Sequence, residues 1–116
     1  MRVIIAGPRD LRMTTTEIED LVVESGFIVT QLVCGMAEGV DMSAWHWAEL
    51  KGIPKDEHPV SPDDWRKLGL KAGPLRNERM GNVADGLIAI DRGTRGTKSM
   101  IRIARAKGLK VFVKAG

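Results

Sequence analysis

The chain has 116 residues, 43% of them apolar and 28% charged, with three tryptophans, two phenylalanines and no tyrosine. Those values fit a single globular domain over 1–116 and exclude disordered and fibrous classes. The net charge of +3 hides a division: residues 1–58 carry 5 Lys/Arg against 10 Asp/Glu, a net of −5, and residues 59–116 carry 13 against 5, a net of +8.

Short apolar strands alternate with amphipathic helices along the chain. Val3 to Ala6 is a continuous apolar run, as in a strand buried on both faces. Thr14 to Ser25 reads as a helix, with Thr14 and Glu17 as a capping box, Ile18, Leu21 and Val22 as its stripe, and Gly26 as its stop. Phe27 to Cys34 follows as a second strand, and Asp41 to Lys51 as a second helix ended by Gly52 and Pro54. Trp45 is expected on the buried stripe with Ala44 and Ala48, and Trp47 at an exposed or interface position. Lys55 to Val60 reads as a short third strand, and Ser61 to Gly73 as irregular or a single helical turn. Pro74 suits the first turn of a helix running to about Ala84. Gly86 to Asp91 is the fourth strand, Thr97 to Lys107 the last helix with Gly108 as its stop, and Lys110 to Val113 the closing strand.

This alternation predicts an α/β fold, a Rossmann-like three-layer sandwich with a mostly parallel sheet of about five strands. Ligands in such folds bind beyond the carboxyl ends of the strands, where strand order reverses. Three strand-to-helix loops have a composition suited to ligand binding there. They are Gly7 to Asp10, Cys34 to Asp41, and Asp91 to Thr97. In the third, Gly93, Arg95, Gly96 and Thr97 combine backbone freedom, charge and a hydroxyl ahead of a helix, which suits phosphate. A plain turn with Thr97 as N-cap is the competing reading. Gly35 and Gly39 precede Asp41, which is either a cap or a ligand contact. Arg9 and Asp10 follow the first strand, as a cleft pair or a structural salt bridge. Neither the dinucleotide fingerprint nor the P-loop is present.

Cys34 stands alone, which excludes an internal disulfide, and it reads as a small core residue. His46 and His58 have no ligand-like spacing, so no metal and no cofactor are expected. Apolar runs far shorter than the ~20 residues that span a bilayer, and an N-terminus without a signal pattern, imply a cytoplasmic protein with no membrane partner. The basic second half implies an anionic partner, either a nucleotide phosphate or a nucleic-acid backbone. A solvated helix face at Arg102, Arg105 and Lys107 explains part of that excess.

At Gly73-Pro74-Leu75-Arg76-Asn77 the chain resembles the YspA-related branch of the SLOG superfamily. Three further blocks fall in the family's order: Gly7, Arg9 and Asp10; Gly39 and Asp41; Arg95, Gly96 and Thr97. The resemblance implies a nucleotide or nucleotide-derived ligand and a homodimer, to which an exposed Trp47 would contribute. Its binding residues would be Gly7, Arg9, Asp10, Gly35, Gly39, Asp41, Arg76, Asn77, Gly93, Arg95, Gly96 and Thr97. The Arg76 guanidinium would reach out over the cleft as the phosphate clamp, the alternative being a surface ion pair with Asp85 or Asp91. The Lonely Guy enzymes, which cleave nucleotide N-glycosidic bonds, are similar at Arg76, Met80, Gly96 and Thr97. Met100 stands where they carry the catalytic glutamate, and a thioether does no acid–base chemistry. Glu78 or Asp91 would have to stand in for that glutamate, and Asp10, Asp41 or Glu78 would be the acid or base of an enzyme on this site. The DNA-processing protein A family, which binds single-stranded DNA, is similar at Gly35 to Asp41, where Glu38 would repel a phosphate backbone.

Overall fold

The computed structural model describes residues 1–116. Five strands form one sheet: β1 (Arg2–Ala6), β2 (Gln31–Cys34), β3 (Lys55–Glu57), β4 (Gly86–Asp91) and β5 (Lys110–Ala115), in the order β3-β2-β1-β4-β5. Every pairing is parallel, with Ile4 beside both Val33 and Leu87. The helices are α1 (Thr15–Ser25), α2 (Val40–Lys51), α3 (Pro62–Leu68), α4 (Ala72–Val83) and α5 (Arg95–Ala106), with a short 3-10 turn at Gly69–Lys71. The Rossmann-like α/β reading holds.

Alternation along the central strands divides two cores. Val3, Ile5, Leu32, Cys34, Ile88 and Ile90 face α1 and α2. Ile4, Ala6, Val33, Leu87 and Ala89 face the other way, against Met80 of α4 and Met100, Ile101, Ile103 and Ala104 of α5. β-Branched residues sealed on both faces explain why β1 is a run rather than an alternation. The chain winds outward from β1 to β3 on one side, then crosses back to place β4 on the other. Strand order therefore reverses at β1 and β4, and a crevice opens above their carboxyl ends.

Four expectations need correction. β2 starts at Gln31, not Phe27, because the chain first crosses the N-terminus, where Thr30 N donates to Met1 O at 2.9 Å, and Ile28 stays 76% exposed. β3 stops at Glu57 rather than Val60, its last bond to β2 being the His58 amide to Cys34 O at 2.8 Å. Residues 62–68 form a helix rather than a single turn. A capping box starts it: Ser61 Oγ accepts from Asp64 N and Asp64 Oδ2 from Ser61 N, each at 3.1 Å, with Pro62 in the first turn. The two tryptophans of α2 exchange places. Trp47 lies on the stripe with Val40, Ala44 and Ala48 and is 2% exposed, its indole N–H donating to Glu19 Oε2 at 2.8 Å. Trp45 sits on the flank, where it donates to Glu57 and lies under the Lys55 ammonium at 4.8 Å. Trp47 thus lends no support to a dimer.

Smaller shifts fall at helix starts: α2 begins at Val40, α4 at Ala72 and α5 at Arg95, and β5 runs on to Ala115. No helix is long and apolar enough to cross a membrane.

Candidate functional site

The crevice above β1 and β4 holds a cavity of about 470 Å³, within the usual range for small-molecule sites. Nine of the twelve residues expected at the site line it: Gly7, Arg9, Asp10, Asp41, Arg76, Asn77, Arg95, Gly96 and Thr97. The other three do not line it: Gly35 and Gly39 are buried beside it, and Gly93 is exposed in the loop after β4. A Cβ on Gly39 would meet the Arg9 carbonyl at 2.6 Å, so only glycine lets the first loop pack on the start of α2. A Cβ on Gly35 would lie 2.7 Å from Asp41 Oδ2 and 3.0 Å from Arg76 Nη1. Gly93, at φ +84°, turns the chain out of β4, and its N–H donates to Asp91 Oδ1 at 2.7 Å.

The N-terminus of α5 is open. Thr94 is the N-cap but makes no capping bond; its hydroxyl pairs with Thr97 Oγ1 at 3.0 Å, and the first turn has no acidic residue. The amides of Arg95, Gly96 and Thr97 therefore keep free donors, at the positive end of the helix dipole. Thr97 is inside the helix rather than its cap, a correction to one of its two readings. By contrast α1 and α3 close their N-termini with capping boxes. One turn deeper, Ser99 is 7% exposed, lines the cavity, and its Oγ has no hydrogen-bond partner. Such a group costs about 1–3 kcal/mol unless something in the cavity bonds it.

Arg76 is bonded inward, contrary to the expectation of a free clamp. It is 9% exposed; Nη1 donates to the Gly35 carbonyl and Nε to Asn77 Oδ1 at 3.1 Å. Nη2 has no partner within the chain, and Arg76 is among the residues that line the cavity. The alternative ion pairs are absent, since Asp85 pairs with Arg2 at 3.5 Å and Asp91 with Lys98 at 3.6 Å. Burial is the larger influence on the guanidinium and lowers its pKa; nearby Asp41 opposes this.

Asp41 is 7% exposed and accepts from Ala37 N at 3.3 Å, so it is neither an N-cap nor in a contact ion pair. Burial pushes its carboxyl up to about 6, against the pull of Arg76, the Ala37 amide and Arg9. Next to it, Met36 is the one non-glycine residue at positive φ, +61°. Met36 packs against the core formed with α1 and α2, whose contacts hold the loop in that conformation. Arg9 and Asp10 are exposed at the rim and make no ion pair with each other. Cys34 is a core residue, its thiol pushed up to about 12 by burial.

Of the acids considered for acid–base chemistry, Asp91 does not line the cavity and Glu78 faces away. It pairs with Lys107 at 2.8 Å in an outer groove between α4 and α5. Met100 does line the cavity, at 1% exposure. Asp10 and Asp41 are thus the carboxylates of the site. No group of His, Cys, Asp and Glu is placed to hold a metal ion.

Sequence reasoning missed Ser99, Trp65, Leu70 and Met80 as lining residues. The pattern Ser61-Pro62-Asp63-Asp64 was the signal for α3, and so for Trp65. Ser99 had none, because its importance lies in what it fails to touch.

The fold and crevice together define a Rossmann-like α/β protein with an all-parallel five-stranded sheet. The X-ray structure of DNA processing protein A (DprA) from Streptococcus pneumoniae matches 99% of this chain with a TM-score of 0.78 at 18% identity. This chain spans 50% of that one, and the likeness is one of fold. No protein-family model matches the chain, and neither does any curated protein.

Proposed function

We propose that this chain is a nucleotide-binding domain of the YspA-related SLOG branch, holding a nucleotide or nucleotide-derived ligand in the crevice above β1 and β4. One observation carries the reading: the uncapped α5 N-terminus opens on a cavity whose buried Ser99 hydroxyl lacks a partner. Three free amides, Thr97 and Arg95 supply phosphate donors, and Arg76 Nη2 adds a charge-assisted one. Arg9, Asp10 and Asp41 meet the polar remainder of the ligand.

The test is calorimetry with a panel of nucleoside mono- and diphosphates on wild type and Gly96→Asp. A Cβ at Gly96 meets nothing within 4 Å, and a carboxylate in the first turn suits the helix dipole, so the variant keeps its fold. Wild type should bind saturably with mild salt dependence, and Gly96→Asp should lose ten-fold or more. Equal binding by both would remove the α5 N-terminus from the site.

A second reading is association with single-stranded nucleic acid. It is favoured by the name of the structural neighbour and by unpaired Lys67, Arg79, Arg102 and Arg105. Its mark is an affinity for oligonucleotides that falls steeply with salt. Cleavage of the N-glycosidic bond is disfavoured by Met100 and is tested by release of free base.

A further inference from the structure

The cavity has two unlike ends. Toward α5 it presents amides, hydroxyls and Ser99; toward α3 it presents Trp65, Leu70 and Pro74. Trp65 is the only aromatic side chain that lines it.

The α3 segment is not held by core packing, for none of its residues is buried. Its capping box, Pro62 and an Asp63–Arg66 ion pair form the helix locally. The result is a preformed wall that leaves Trp65 41% exposed and Leu70 84% exposed. Trp45 and Trp47 both donate their indole N–H to carboxylates, whereas that of Trp65 has no partner in the chain. An unbonded indole at the edge of a cavity, on a helix without core contacts, offers a face for a flat ring. At the opposite end the free amides call for an anion.

We infer that Trp65 is the stacking wall for the ligand's base: a nucleoside phosphate lies with its phosphate on the α5 N-terminus and its planar base against Trp65. This rests on the nucleotide reading above and adds the ligand's orientation to it. Asn77, which also lines the cavity, then faces the sugar. Every base has a π-face, so Trp65 secures a base without choosing among them. The predicted selectivity is for nucleotides over sugar phosphates, with modest differences between bases.

The experiment is calorimetry of wild type, Trp65→Phe and Trp65→Ala with the four common ribonucleoside monophosphates and with ribose 5-phosphate, which has no base. Circular dichroism checks the fold, which Trp65→Ala should keep because α3 contributes nothing to either core. Wild type should prefer nucleotides to ribose 5-phosphate by roughly ten-fold or more, the scale of one base–aromatic stack. Trp65→Ala should lose most of that margin and leave ribose 5-phosphate binding unchanged, while Trp65→Phe keeps most of it. Undiminished nucleotide affinity in Trp65→Ala would overturn the stacking role and spare the phosphate site. Equal weakening of nucleotide and ribose 5-phosphate would reduce Trp65 to a structural part of the rim, and also overturn it. If neither kind of compound bound wild type, this inference and the nucleotide reading would fall together.

Discussion

Arg76 Nη1 donates to the carbonyl of Gly35, 41 residues earlier, and so ties α4 to the loop that follows β2. Both elements also line the cavity, α4 through Arg76, Asn77 and Met80 and the loop through Ala37. It forms only because Gly35 has no side chain, since a Cβ there would press on both Arg76 and Asp41. Arg76 therefore braces the site before it can contact any ligand.

Its replacement should show in stability first. Arg76→Ala removes charge-assisted bonds to Gly35 and Asn77 in a region 9% exposed, at an expected cost of about 2–3 kcal/mol. For a chain of this length that lowers the thermal midpoint by roughly 10 °C or more. Arg76→Lys should fall between, because a single ammonium cannot reproduce the planar fork. Calorimetric scans of the three proteins decide this; an unchanged midpoint in Arg76→Ala would show that the brace is not needed.

This difference marks where the sequence was legible. Runs such as Val3 to Ala6 and glycines such as Gly26 and Gly52 report local needs, so strands, helices and stops could be read from them. The cavity followed from topology: nine expected residues converge because strand order reverses at β1 and β4. What a side chain does once there depends on partners distant in sequence. Arg76 turning to Gly35, Trp47 turning to Glu19 and Ser99 finding no partner are all tertiary facts. Trp45 and Trp47 lie two residues apart on one helix, and a rotation of the stripe by one flank decides which is buried.

Glycines of the loops should divide sharply. Gly39 has φ +79° and its missing Cβ would collide with backbone atoms of Pro8 and Arg9. Gly39→Ala should cost about 3 kcal/mol or more, the sum of left-handed strain and an overpacked contact. Gly96, inside α5 with open space where a Cβ would go, should accept alanine and gain about 0.5–1 kcal/mol of helix propensity. Urea midpoints measure both, and similar effects at the two positions would contradict the packing of the first loop on α2.

Ser99→Ala should raise stability and lower affinity at once. Removing a buried hydroxyl that has no partner relieves its desolvation cost, so the unliganded protein should gain about 1 kcal/mol. If the ligand supplies the missing bond, nucleotide binding should weaken several-fold. Paired denaturation and calorimetry separate the effects. A destabilised variant with unchanged affinity would mean that Ser99 serves packing alone.

The last prediction concerns Asp41 and pH. Its carboxyl has an ordinary value of 3.8 and is pushed up to about 6 in the folded chain, mainly by burial. The folded protein therefore holds this proton more tightly than the unfolded chain does. Stability contributed at this position is highest below about pH 4, falls as pH rises from about 4 to 6, and is flat above that. The shift corresponds to a cost of about 3 kcal/mol at neutral pH, at the rate of 1.36 kcal/mol per pH unit. Asp41→Asn mimics the protonated form and can still accept from Ala37, so at pH 8 it should be more stable than wild type by up to that amount. The advantage should shrink between pH 6 and pH 4. Glu19, Asp64 and Asp85 have lowered values and lose stability as pH falls, but they do so equally in both proteins and cancel in the comparison. Urea midpoints of the pair from pH 4 to pH 8 give the curve directly. A difference that stayed constant across the range would mean that Asp41 does not titrate near 6. A variant less stable than wild type at pH 8 would mean that the Asp41 charge is held favourably by Arg76 and Arg9, and that burial is not the dominant influence on it.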